Sequence, residues 1–100
     1  MPKITIEKTT GLTAEDAYSK IKDMLADDPD LRKLDRGYQC QFDDGAKTGT
    51  AKGKQFSAAL KVTSQSQTKV ELTVDLPIIL TPFKGMVETT LKTKLEKILA

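Results

Sequence analysis

Apolar and polar side chains alternate strictly in two stretches of the second half of the chain. Phe56, Ala58, Leu60 and Val62 interleave with Ser57, Ala59, Lys61 and Thr63. After a polar turn at residues 64–67, Val70, Leu72, Val74 and Leu76 interleave with Lys69, Glu71, Thr73 and Asp75. A period of two puts one side of a strand into a core and the other into water. Tyr38, Cys40 and Phe42, set against Gln39, Gln41 and Asp43, predict another such strand, with a hairpin signal at Asp44-Gly45. Residues 47–54 read as an exposed strand softened by Gly49 and Gly53, since glycines in strands mark bulges and bends. Near the start, residues 3–8 alternate around Ile4 and Ile6. The four later strands form a meander with one dry face and one wet face.

Two helices follow from a different period. Thr13 precedes a stretch in which Ala14, Ala17, Tyr18, Ile21, Met24 and Leu25 share one face. It is the expected N-cap, and Glu15 and Asp16 suit the positive end of the helix dipole. That helix should end before Pro29, with Leu31 and Leu34 adding one short turn that closes over the core. Near the other end, the apolar run Leu76–Leu80 leads through Thr81-Pro82 into a second helical pattern. There Phe83, Val87, Leu91, Leu95 and Ile98 return to one arc, flanked by Met86 and Leu99. Thr81 is the expected cap and Pro82 the first helical residue, where a missing N–H costs nothing. Burying these side chains releases roughly 10–20 kcal/mol against about 1–2 kcal/mol per residue of backbone entropy, so the helix needs a surface to lie on. The expected fold is α+β: one domain over residues 1–100, an antiparallel sheet of about five strands in the order β-α-β-β-β-β-α, wrapped around a long C-terminal helix. Lys94 sits inside the apolar arc, so it either snorkels past the sheet edge or meets a partner.

Composition narrows the class without changing this picture. With 38% hydrophobic and 30% charged residues, the chain reads as an ordinary globular protein. Its longest apolar run is far too short to span a bilayer. The opening MPKITIEK lacks the apolar core of a signal peptide, and the single cysteine agrees with a reducing compartment, so a cytoplasmic location is expected. A net charge of +2 does not imply a nucleic-acid partner. With two arginines and no recognisable RNA-binding motif, the chain also makes a poor base-stacking platform. Charge is uneven, with 8 basic and 10 acidic side chains in residues 1–50 and 8 basic and 4 acidic in residues 51–100. The basic excess of the second half reads first as solubility.

Candidate chemistry is thin. The chain has no histidine, the commonest general base at neutral pH and the usual zinc ligand. Cys40 falls on the inward side of a strand and reads as a buried structural thiol. Tyr18 and Tyr38 read as core or rim aromatics whose hydroxyls reach water or backbone. Asp27, Asp28 and Asp30 lack the glycine and distal glutamate of a calcium loop and read as a solvated acidic turn. GTAKGK, residues 49–54, lacks the spacing of a phosphate-binding P-loop and is followed by strand rather than helix. The expectation is a protein that is not an enzyme and carries no cofactor or metal. What remains is a surface question: four consecutive apolar residues, Pro77-Ile78-Ile79-Leu80, cannot all face the core of an alternating strand. They either pack at a corner under the first helix or offer a patch to a partner, an oligomer mate or a hydrophobic particle.

Two segments resemble a known family. ITIEKTTGLTAEDAYSKI resembles the opening strand and capped helix of the polyhydroxyalkanoic acid system proteins, found in bacteria that store polyester granules. LPIILTPFKGMVETTLKTKLEKIL resembles that family's closing pattern of apolar run, turn at Phe83-Lys84-Gly85 and amphipathic helix. The resemblance implies a helix-grip-like, truncated START-like fold and an accessory role in polyhydroxyalkanoate storage. On this expectation Ile78, Ile79, Leu80 and Lys84 contact a granule surface or a protein partner. Full-length helix-grip proteins often hold lipids or other apolar ligands between sheet and helix. A small apolar ligand or lipid carrier is therefore the alternative, its gap lined, and at this length largely filled, by Phe56, Leu60, Leu72, Phe83, Val87 and Leu91. A homodimer built on a sheet edge or on the Lys94 side of the helix is a further alternative.

Overall fold

The computed structural model describes residues 3–99, Leu34 by its backbone alone. The elements run β1 (Lys3–Thr10), α1 (Ala14–Ala26), α2 (Pro29–Leu34), β2 (Gln39–Asp43), β3 (Thr48–Lys52), β4 (Ser57–Ser64) and β5 (Thr68–Asp75), followed by a 3₁₀ turn (Ile78–Phe83) and α3 (Lys84–Ile98). The five strands form one antiparallel sheet in the order β1-β5-β4-β3-β2, so the meander from β2 to β5 is capped by the first strand.

The register explains why one face is dry. Ile4, Val74, Ala58, Ala51 and Cys40 stand in one row across the sheet, and Ile6, Leu72, Leu60, Gly49 and Phe42 stand in the next inward row. Residues paired across strands share a face, so five separate alternations add up to one apolar surface. Gly49 has a packing role there: a Cβ would fall 2.5 Å from the Phe42 ring, which leans over it from β2. The hairpin expected at Asp44-Gly45 is a four-residue loop over residues 44–47, and its left-handed residue is Lys47, with φ 55°. Asp43 stabilises the loop by accepting from the Ala46 N–H at 3.1 Å.

Two helices divide the dry face. Thr13 caps α1 by accepting from the Asp16 N–H at 3.1 Å. Ala14, Ala17, Tyr18, Ile21 and Leu25 of α1 are buried, and the helix lies across β2 to β5. α3 runs along β1 and touches α1, burying Leu91 and Leu95, with Leu99 buried just beyond its end. The Thr10 hydroxyl donates to the Leu99 carbonyl at 2.8 Å and ties the end of α3 to β1. Between the helices, Tyr38 pins the loop: its hydroxyl donates to the Leu25 carbonyl at 2.7 Å and accepts from the Asp28 N–H at 3.1 Å. Leu31 is buried as expected, while the same expectation for Leu34 falls on a side chain outside those described.

Two readings of the sequence need correction. Thr81 does not cap α3; its hydroxyl donates to the Ile78 carbonyl at 2.6 Å inside a 3₁₀ turn, and α3 begins at Lys84. Pro82 lies inside that 3₁₀ turn, two residues ahead of the first residue of α3, so it is not the first helical residue; a proline without an N–H fits either kind of turn. A helical count that starts at Phe83 therefore begins before the helix does. Phe83 and Met86, both counted into the buried arc, are 49% and 63% exposed instead of lining the core. The second correction concerns Asp28, which is buried rather than solvated.

Candidate functional site

The 3₁₀ turn and the first turn of α3 make a corner with an unusual surface. Ile78, Ile79, Phe83 and Met86 are 71%, 78%, 49% and 63% exposed, and they are the large hydrophobic side chains that the described residues leave out of the core. All four fall within nine consecutive residues. The turn beneath them is held: Leu76 is buried, Leu80 packs half-buried against the core, and the Leu80 N–H donates to the Pro77 carbonyl at 2.9 Å. Isolated surface hydrophobes are ordinary, whereas a contiguous group marks a contact surface. Lys84 is exposed at the start of α3, where its charge opposes the helix dipole.

The sequence-derived positions thus separate into two sets. Ile78, Ile79 and Lys84 share the exposed corner, with Leu80 anchoring it from below. Phe56, Leu60 and Leu72 lie in the core proper, where the Phe56 ring packs against Tyr38 at 5.3 Å between centroids. Val87 and Leu91 face a groove between α2 and α3 that sequence reasoning did not anticipate. Leu31 and Met86 complete its apolar lining, Asp30, Lys33 and Thr90 form its rim, and its volume is about 280 Å³. Phe83 is absent from that lining.

A charged latch closes one end of this region. Asp28 is 2% exposed and caps α2 by accepting from the Leu31 N–H at 3.0 Å. Lys94 of α3 donates to the other carboxylate oxygen of Asp28 and also approaches Asp30. This answers the anomaly of a lysine inside an apolar arc: its partner is 66 residues away in sequence. Burial opposes the charge on Lys94, but the hydrogen bonds to Asp28 and Asp30 outweigh it and hold the ammonium above its ordinary pKa. The same bond from Lys94 holds the Asp30 carboxyl below the usual range. Arg32 braces the loop from outside, stacked 4.0 Å over the Tyr38 ring and donating to the carbonyls of Ala26, Arg36 and Tyr38. Cys40 is half-buried, its thiol pushed up by burial and directed at the Leu25 carbonyl.

At the far end of the sheet, the Tyr18 hydroxyl donates to Asp44 at 2.7 Å, and Lys22 reaches the same oxygen at 3.0 Å. Burial, then the hydrogen bond and charge of Asp44, push Tyr18 up to about 12. Tyr38 is also raised, chiefly by burial. A phenol whose folded pKa exceeds its unfolded value of 10.0 contributes stability that is complete below pH 10 and lost as pH climbs toward 12. Ultraviolet titration of the folded protein should therefore show Tyr18 still protonated where free tyrosine is half ionised, with Tyr38 ionising later than free tyrosine. Asp44→Asn should bring the Tyr18 transition down, because a neutral amide no longer opposes the phenolate. An unshifted transition in that variant would contradict the assignment.

Comparison with known proteins places the fold and leaves the chemistry to the residues. No family model matches the chain, and no curated protein matches it. Three solved structures are similar over nearly all of both chains. The crystal structure of TTHA0849 from Thermus thermophilus is 14% identical with a TM-score of 0.59, over 98% of this chain and 92% of that one. The solution structure of the Aha1 dimer from Colwellia psychrerythraea is 14% identical with a TM-score of 0.69, over 99% and 94%. The crystal structure of Ara h 8.0201 is 12% identical with a TM-score of 0.57, over 97% and 94%. At such identities the likeness is one of fold: α+β, a five-stranded antiparallel sheet with a C-terminal helix, helix-grip-like. Among the described residues, no helix is long and apolar enough to cross a membrane.

Proposed function

We propose that this protein is a non-enzymatic accessory protein that seats itself on an apolar surface through the corner of Ile78, Ile79, Phe83 and Met86. One observation carries the reading: the exposed large hydrophobes are gathered within nine residues, on the held 3₁₀ turn and the first turn of α3, instead of being scattered. Because the turn is already ordered by its own hydrogen bonds, little conformational entropy remains to be lost on contact. The resemblance to polyhydroxyalkanoic acid system proteins supports the surface of a polyester granule as the target, and a protein partner is the alternative occupant of the same corner. The test is fractionation of granule-forming cells, backed by binding to polyester particles in vitro. Replacing Ile78 and Ile79 by Ser should weaken binding about a hundredfold or more, since two side chains near 1.5–3 kcal/mol each no longer leave water. Their removal should leave the unfolding midpoint nearly unchanged, because neither contributes to the core. Protein that stays soluble beside granules, with no effect of the substitutions, would refute the proposal.

A small apolar ligand or lipid is the second reading, supported by the groove of Leu31, Met86, Val87 and Leu91. Its volume of about 280 Å³ falls just below that of ligand sites, which run from roughly 300 Å³ upward, so at most a single short chain fits. Displacement of a fluorescent fatty acid, abolished by Val87→Trp, would favour it over the surface reading. A homodimer built on a sheet edge or on the Lys94 side of α3, a reading to which the Aha1 dimer lends support, would show as a doubled mass by light scattering.

A further inference from the structure

The apolar corner is one part of a larger end of the molecule. In the register, Lys3, Asp75, Ser57, Lys52 and Gln39 form the last outward-facing row of the sheet, at the end where β5 runs into Pro77 and Ile78. β3 leaves the sheet at the same end into Gly53 and Lys54, only two strand spacings from β5, roughly 10 Å. There a concavity of about 550 Å³ opens on the wet face, lined by Asp35, Arg36, Lys52 and Lys54 together with Gln39, Gln41 and Thr50. It includes part of the GTAKGK stretch, whose spacing excludes a P-loop.

The charge at this end is unbalanced. Lys3, Arg36, Lys52, Lys54 and Lys84 stand there, and among the described residues none of them makes an ion pair. Toward the opposite end, Lys8, Lys22, Lys47 and Lys69 each have a carboxylate partner, while Lys20, Lys33, Lys61, Lys92 and Lys97, spread over other faces, make no ion pair among the described residues either. The carboxylates facing the cations are Asp75, on the sheet row, and Asp35. The latter lines the concavity itself: it accepts from the Gln55 N–H at 2.9 Å and the Gly37 N–H at 3.0 Å, which together with the nearby Lys54 charge hold its carboxyl below the usual range. Polar side chains that donate hydrogen bonds, five cations against two carboxylates and a flanking exposed apolar turn together match an interface bearing anionic headgroups over an apolar layer. Neither a bare hydrocarbon nor a free anion explains both halves.

We infer that this end docks onto an anionic lipid film, the concavity of Arg36, Lys52 and Lys54 receiving phosphate headgroups while Ile78 and Ile79 enter the apolar layer. The inference rests on the apolar-surface reading and adds to it the chemistry of the surface. Full-length protein is to be sedimented with vesicles of phosphatidylcholine alone and with phosphatidylglycerol added. Binding should appear with phosphatidylglycerol, weaken with salt, and fall about tenfold or more in Arg36→Ser/Lys52→Ser/Lys54→Ser, since each surface charge is worth about 1 kcal/mol near such a membrane. Lys20→Ser/Lys61→Ser/Lys92→Ser, which removes as much charge elsewhere, should bind as the wild type does. The first triple variant should keep its affinity for neutral polyester particles, which separates this claim from the apolar-surface reading. Equal binding to both vesicle types, no loss in the first triple variant, or tight binding of free pyrophosphate with no vesicle binding would each overturn the inference. Loss of particle binding in Ile78→Ser/Ile79→Ser tests the underlying reading alone.

Discussion

Replacing Asp28 by Ala is expected to cost about 3 kcal/mol, seen as a fall in the denaturant midpoint with little change in slope. Two losses combine. The N-terminus of α2 loses its cap, worth about 1 kcal/mol. Lys94, about a quarter exposed, loses its main partner and keeps only Asp30. Breaking a fully buried pair costs about 3–5 kcal/mol, and the partial exposure of Lys94 with its second carboxylate brings its share down to about 2. Asp28→Asn should cost less, because an amide oxygen still caps the helix. Lys94→Met should also destabilise by leaving the Asp28 carboxylate buried without a counter-charge, and the double variant Asp28→Asn/Lys94→Met should cost clearly less than the two singles added. Additive costs would mean that the two residues do not act as a pair.

Leu95→Ala should destabilise by about 2–5 kcal/mol, the usual range for deleting a fully buried leucine and leaving a cavity. In a domain of this size that lowers the melting temperature by roughly 10–25 °C. The site is chosen because Leu91, Leu95 and Leu99 carry the attachment of α3 to β1 and α1. Ile98→Ala, at a half-buried position on the same helix, should cost much less. If Leu95→Ala were as mild as Ile98→Ala, the helix would not be docked as described.

These two positions also mark the limits of what the sequence discloses. The strands and α1 were legible because their evidence is local: alternation in β4 and β5, and a threonine cap before a 3.6-residue period at Thr13. Leu91 and Leu95 were placed correctly by the same period. The start of α3 was not, because Thr81-Pro82 satisfies the chemistry of an α-helical cap and of a 3₁₀ turn alike. That error moved Phe83 and Met86 from surface to core and hid two of the four residues of the exposed corner. The run Ile78-Ile79 was legible as an excess of apolar residues, although only coordinates distinguish an exposed turn from a packed corner. Asp28 had a local signal, an aspartate directly before a proline, which is the pattern of a cap before a first helical residue. Its burial depends on Lys94, a contact that no local period encodes. Arg36, Lys52 and Lys54 are scattered in sequence and converge only because β2 and β3 are hydrogen-bonded neighbours.

The most direct test of the central claim, that the corner after β5 is the surface this protein uses, is methyl NMR of the intact chain titrated with lipid nanodiscs containing phosphatidylglycerol. The isoleucine methyls report every region at once, since Ile4, Ile6 and Ile21 are buried while Ile78 and Ile79 are exposed. Signals of Ile78, Ile79 and Met86 should broaden and shift first, with those of Ile4, Ile6 and Ile21 unmoved. Perturbation centred on other methyls, or none at the corner while the protein demonstrably binds, would contradict the account.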